Sequence, residues 1–240
     1  MIILSLLFAI TLSLIHLFSY KIKFLQVTPR SIWLSFAGGA SVSYIFIYLL
    51  PELAVGQELF IDLNFPFLDY LSNHIYIISL LGLCVFYGLE RYINIIKGKN
   101  PGKEISRADF LLHILAFSFY NFMIGYLLLQ SEGKSFLNST FFFVAMAFHI
   151  LVNDYGLNQH HKNLYLHKGR WILSFSVLLG WAIGFLTSIS SFIVLSILAF
   201  LAGGIILNVL KEELPEDRRS NFWAFLSGVL FFSVILLLAS

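Results

Sequence analysis

The stretch FAGGASVSYIFIYLLPEL, Phe36 to Leu53, is nearly rewritten toward the far end of the chain as FLAGGIILNVLKEELPED, Phe200 to Asp217. Each passes through Ala-Gly-Gly, continues through an apolar segment and closes on Leu-Pro-Glu. The surroundings tell what kind of segment is being repeated. The 240 residues are 59% hydrophobic and 12% charged, whereas a soluble domain carries about 25% charged residues. There are too few polar side chains to cover a water-facing surface. The chain is therefore expected to be an integral membrane protein, a single transmembrane domain over residues 1–240.

Runs of about 20 apolar residues are long enough to cross a bilayer as helices. Eight can be drawn, at about 2–20, 31–50, 74–96, 109–129, 139–157, 170–187, 191–210 and 221–238. They lack the short alternation of a membrane barrel, and backbone groups in lipid must bond within their own segment, so the fold class is all-α and polytopic. The first run has no basic start and no small-residue cleavage site, and Lys21 and Lys23 follow it. It reads as a retained span. The single cysteine, Cys84, excludes a disulfide framework and a cysteine-based zinc site.

Charge fixes an orientation. With the N-terminus outside, the segments that fall inside hold Lys21, Lys23, Arg30, Arg91, Lys97, Lys99, Lys103, Arg107, Lys162, Lys168, Arg170, Lys211, Arg218 and Arg219. Only Lys134 is left outside, and the loop after the second span is acidic, with Glu52, Glu58, Asp62 and Asp69. The positive-inside rule then puts both termini outside and the basic loops in the cytoplasm, most simply of the cell membrane. The second and seventh spans cross in opposite directions, so their likeness predicts an inverted repeat: helices 1–3 mirror helices 6–8 around helices 4–5.

Polar residues at membrane depth are costly and usually have work to do. The fifth span holds His149, Asn153 and Asp154. At 3.6 residues per turn Ala145, His149, Asn153 and Gly156 share a small, polar face, while Phe141, Phe148, Leu151 and Tyr155 are expected toward lipid. The fourth span carries Ser118, Asn121 and Gly125 at spacings of three and four. Two such faces turned together would enclose a hydrophilic site. His16 and His113, near the inner ends of their spans, read as interfacial histidines, and Asn208 as a hydrogen bond between helices. NQHHKNLYLH, with His160, His161 and His167, reads as a solvated basic loop, and KEELPEDRR as a charged helix end.

Eight spans, outside termini, two Leu-Pro-Glu closings and polar fourth and fifth spans together resemble the ZIP (Zrt/Irt-like) divalent metal transporters. In that family the fourth span carries a pattern like His-Asn-x-x-Asp-Gly and the fifth one like His-Glu-x-Pro-His-Glu, which form a metal site halfway across the membrane. Laid on HILVND, the resemblance keeps His149, puts Ile150 for the glutamate and Val152 for the proline, and gives Asn153 and Asp154 for the last two ligands. On FSFYNF it puts Phe117 for the histidine, Ser118 for the asparagine and Asn121 for the aspartate. Tyr48 stands where the family often has a histidine, and Trp181 about where many members have an acid.

The resemblance implies transport of zinc, iron or manganese by alternating access, with His149 and Asp154 as primary metal ligands and Asn153, Asn121 and Ser118 as helpers. Asp154 alone leaves about one charge of a dication uncompensated, which is costly in low dielectric, so binding should be weak. The alternative is a ZIP-fold protein with a thinned site that binds or regulates without transporting. No resident cofactor, nucleic acid or enzymatic activity is implied. A membrane hydrolase would need His, Asp and Ser sets on several spans, and one such set is visible. The expected partners are the lipid bilayer and a divalent metal ion; a homodimer is allowed but not required.

Overall fold

Amide groups that leave water must bond to one another, and in a chain this apolar the local answer is the helix. The computed structural model describes residues 2–22, 32–57, 75–99, 107–130, 136–187, 189–213 and 221–239, among which eight long helices occur and no strand. Helix α1 is Ile2–Phe18, extended by a 3₁₀ turn at Ser19–Lys21. Helix α2 is Ile32–Gly56. Then follow α3 (Ile75–Lys99), α4 (Arg107–Gln130), α5 (Phe136–Leu164), α6 (Arg170–Leu186), α7 (Ser191–Glu213) and α8 (Phe222–Ala239). Seven of these contain segments long and apolar enough to span a bilayer, and α8 is a slightly shorter apolar helix. The protein is a multi-pass, helical membrane protein. The second Leu-Pro-Glu, the outer acids Glu58, Asp62 and Asp69, and Lys23, Arg30, Lys103, Lys134, Arg218 and Arg219 lie outside the described residues.

Three helix pairs are drawn together by the same device. Gly125 on α4 lies against the carbonyl of Val177 on α6, and Gly180 on α6 against the carbonyl of Phe122 on α4; a Cβ at either would sit 2.0 Å from that oxygen. Gly39 on α2 and Gly228 on α8 meet the carbonyls of Phe225 and Phe36 in the same reciprocal way. So do Gly82 on α3 and Gly203 on α7 with those of Phe200 and Ser79. Without side chains at the crossing, backbones approach closely enough for packing and Cα–H···O contacts to hold the pair in lipid. The α2–α8 pair is parallel: Asn221 donates its amide to Ser35 Oγ at 3.3 Å, and two turns on Ser43 donates to the Val229 carbonyl at 2.9 Å and accepts from Ser233 at 3.2 Å.

α5 occupies the middle. It packs on α1, α2, α4 and α7, and no residue with described burial between Asn138 and Asn158 is exposed. This corrects the expected lipid face: Phe141 is buried and Phe148, Leu151 and Tyr155 are half-buried. The lipid-ready surface belongs to outer helices, for example Leu80, Leu81 and Val85 on α3 and Leu237 and Leu238 on α8.

Two local departures from α geometry matter. In α2 the turn Tyr44–Leu49 is π-helical, with the Leu50 amide donating five residues back to Ile45. Pro51 explains it, since proline lacks an amide and its ring would strike the carbonyl four residues earlier; a wider turn relieves both. At the other departure the expected solvated loop is absent. α5 continues to Leu164, kinks at His161 (φ −134°, ψ 34°) and passes through a π turn at Tyr165–Gly169 directly into α6.

Candidate functional site

The site starts on α1. Its buried stripe is Ser5, Ala9, Leu12, Ser13 and His16, continued by Ser19 in the 3₁₀ turn. These small and polar residues recur at helical spacing and bring α1 close to its neighbours. Ser13 and Ser174 of α6 clasp reciprocally: each hydroxyl bonds the other's carbonyl, at 3.0 and 3.1 Å, and the hydroxyls touch each other. Trp181, at the position where the resemblance implies an acid, donates its indole N–H to Ser5 Oγ at 3.1 Å.

One turn beyond Ser13, His16 bridges α5 and α4. Its Nδ1 is 2.9 Å from Asp154 Oδ1 and its Nε2 is 2.9 Å from Asn121 Oδ1. The His16 and Asp154 side chains are 1% and 0% exposed. Asn121 donates its amide N–H to the Phe117 carbonyl at 2.8 Å, which turns its oxygen toward the ring. Nε2 therefore carries a hydrogen. Ser19 donates to the second carboxylate oxygen, Asp154 Oδ2, at 2.9 Å, and Tyr165 in the π turn reaches the Ser19 hydroxyl at 3.3 Å. With both outer partners fixed, the Nδ1···Oδ1 contact holds one proton. The pair is neutral as a whole, whether written as imidazolium and carboxylate or as imidazole and acid. A proton count of one lets two ionisable groups sit in low dielectric without net charge.

A second cluster lies one and a half turns away along α5. His149 Nε2 is 2.8 Å from the Tyr120 hydroxyl of α4 and 2.8 Å from Asn153 Nδ2. Both partners converge on one nitrogen, which accepts from the Asn153 amide. Five residues separate His149 from Asp154, so the two point about 140° apart around α5.

The expected single site is thus divided. Asn121 and Asp154 are brought together by His16; His149 and Asn153 are together with Tyr120. Ser118 joins neither, its hydroxyl bonding the Ile114 carbonyl of its own helix. Asn208 is buried, but its Nδ2 has no hydrogen-bond partner among the described residues. His16 is not interfacial but buried in the site; His113 is partly buried near the start of α4 and pairs with the buried His161. Tyr120 on α4 was missed, as were His16 and Ser19, for which the visible signal was the serine and alanine stripe of α1 that leads to them. Among the described residues no cluster of three His, Cys, Asp or Glu side chains is gathered. The donors that face each other are His16 Nδ1 and an Asp154 carboxylate oxygen; the Asn121 oxygen lies across the ring, against Nε2. Comparison with known proteins gives no match to any family model, curated protein or solved structure.

Proposed function

We propose that this chain is a ZIP-like transporter of a divalent metal ion, zinc, iron or manganese, working by alternating access through the centre of the bundle. The observation that carries the reading is the buried Asp154, bonded to His16 and Ser19, with His16 tied in turn to Asn121 of α4. Imidazole nitrogen with carboxylate oxygen is a donor pair that these metals accept. The proton stands where an ion would bind. A coordinating imidazole must give up the hydrogen on its ligating nitrogen, so an ion entering between Nδ1 and Oδ1 expels that proton. The site then gains one positive charge rather than two, which lowers the cost of occupancy inside the membrane.

Alternating access asks for two interchangeable halves. Support comes from the helix neighbours. Exchanging α1 with α6, α2 with α7, α3 with α8 and α4 with α5 converts the α2–α8 pair into α7–α3 and the α4–α6 pair into α5–α1, all of which are in contact. The likeness is one of neighbours rather than register, because the close approach uses the second glycine of the pair in α2 and the first in α7. Cell-membrane placement with both termini outside follows from the charge distribution and belongs to the same proposal.

A second reading has its own observation. Both carboxylate oxygens of Asp154 and both ring nitrogens of His16 already have partners. In that reading the cluster is a lock between helices, and the protein is a ZIP-fold binding or regulatory partner that moves no metal. The two readings part in metal-starved cells expressing the protein, with cell-associated zinc, manganese and iron measured. Uptake above the empty-vector level that Asp154→Asn abolishes supports transport. Absence of uptake for all three metals, with the protein present in the membrane, supports the lock.

A further inference from the structure

The polar seam between α4 and α5 does not stop at His16. Eight residues before Asn121 on α4 is His113, and seven after Asp154 on α5 is His161. His113 Nδ1 and His161 Nε2 are 2.7 Å apart, with the rings inclined at 77°. Each ring is flanked by a phenylalanine: Phe110 stands edge-on to His161 at 5.6 Å, and Phe117 lies 6.3 Å from His113. His161 is 3% exposed and is the α5 residue whose backbone leaves the helical region. The kink and the following π turn carry this ring toward α4 at the end of the bundle that holds His167, Lys168 and Arg170. Deviations of this kind inside membrane helices often accompany binding functions. One turn before His161 is Asn158, whose Oδ1 is buried with no hydrogen-bond partner among the described residues.

We infer that His113 and His161 form a second cation site, separate from the one at Asp154, for a borderline transition-metal ion of the zinc class. The two facing nitrogens share one hydrogen; moving it to the far nitrogen of its own ring frees both lone pairs, and the rings then need only open slightly to take an ion. Zinc–nitrogen bonds of about 2.0–2.1 Å at a tetrahedral angle separate the nitrogens by about 3.3 Å, roughly 0.6 Å more than here. Rotation of the two rings supplies that. The Asn158 oxygen, on the His161 side of α5 by its spacing, offers a third donor. His113 is only partly buried, so water completes the shell. Every donor is neutral, which makes the site weaker than a carboxylate-bearing one and leaves the proton inventory unchanged when two neutral imidazoles bind. The helical rise puts it about 10 Å along the seam from Asp154. The inference does not rest on the transport reading.

The test uses full-length protein in detergent micelles with any histidine tag removed, in an Asp154→Asn background that takes away the first site. Calorimetric titration with zinc should show one ion per chain, and adding His113→Gln or His161→Gln should weaken binding by about tenfold or more. Absence of zinc binding, or binding that neither substitution changes, overturns the inference. Copper(II) added to the same Asp154→Asn protein gives a readout that needs no further variant. Spin-echo modulation from two imidazoles supports the site, and modulation from one or none overturns it.

Discussion

At His16 four hydrogen-bonding groups from three helices meet on one ring and one carboxylate, and this decides how single substitutions behave. His16→Ala strands Asp154 Oδ1 and Asn121 Oδ1 in the interior together. Breaking a buried pair from one side costs about 3–5 kcal/mol, so this variant should unfold at markedly lower denaturant in micelles. Asp154→Asn is a gentler change. The new amide can donate to a bare Nδ1 while its oxygen accepts from Ser19, so every bond survives with a neutral ring and no shared proton. Its stability should stay within about 1 kcal/mol of the parent. A drop comparable to that of His16→Ala would show that the charge, not the bonding, holds the cluster. The sequence made Asn121, Asn153 and Asp154 legible because polar residues in apolar runs stand out. It misread His16 because a histidine near a span's end has the same local pattern whether it faces headgroups or a buried acid; only the partner 138 residues away distinguishes them.

Among the elements, the glycine crossings make the sharpest claims. A Cβ at Gly125 would meet the Val177 carbonyl at 2.0 Å, whereas one at Gly88 meets nothing within 4 Å. Gly125→Ala should therefore destabilise the protein by about 1–3 kcal/mol as α4 and α6 are pushed apart. Gly88→Ala should be neutral or stabilising by up to about 1 kcal/mol through helix propensity. Thermal unfolding of the two variants side by side reads the difference, and equal effects would refute the close packing. Span positions were readable from apolar length alone, since lipid leaves the backbone no alternative to helix. The join of α5 to α6 was not. NQHHKNLYLH is polar enough to pass for a loop, and its helical state depends on burying His161 and Tyr165 against α4 and α1. The same holds for the lipid face assigned to α5, where phenylalanines look alike whether they meet acyl chains or neighbouring helices.

For the whole molecule, parallel pairing of helices far apart in sequence is the feature on which the two-halves reading depends. Ser43 and Ser233 hydroxyls lie 3.2 Å apart across α2 and α8. Paired Ser43→Cys and Ser233→Cys substitutions, made with Cys84→Ser, should cross-link under mild oxidation; failure to cross-link in the folded protein would reject the pairing. The doubled Ala-Gly-Gly segments marked α2 and α7 as places where small residues let helices approach, which is a local signal; that α2 is answered by α8 and α7 by α3 is a long-range fact the sequence reading did not reach. What the bundle is for comes down to the proton between His16 and Asp154, and counting protons tests it most directly. Zinc added to weakly buffered, purified protein carrying His113→Gln should release one proton for each ion bound. In protein carrying both His113→Gln and Asp154→Asn, ion binding and the release should vanish together. Zinc that binds the His113→Gln protein without releasing a proton, or fails to bind it at all, would contradict the account.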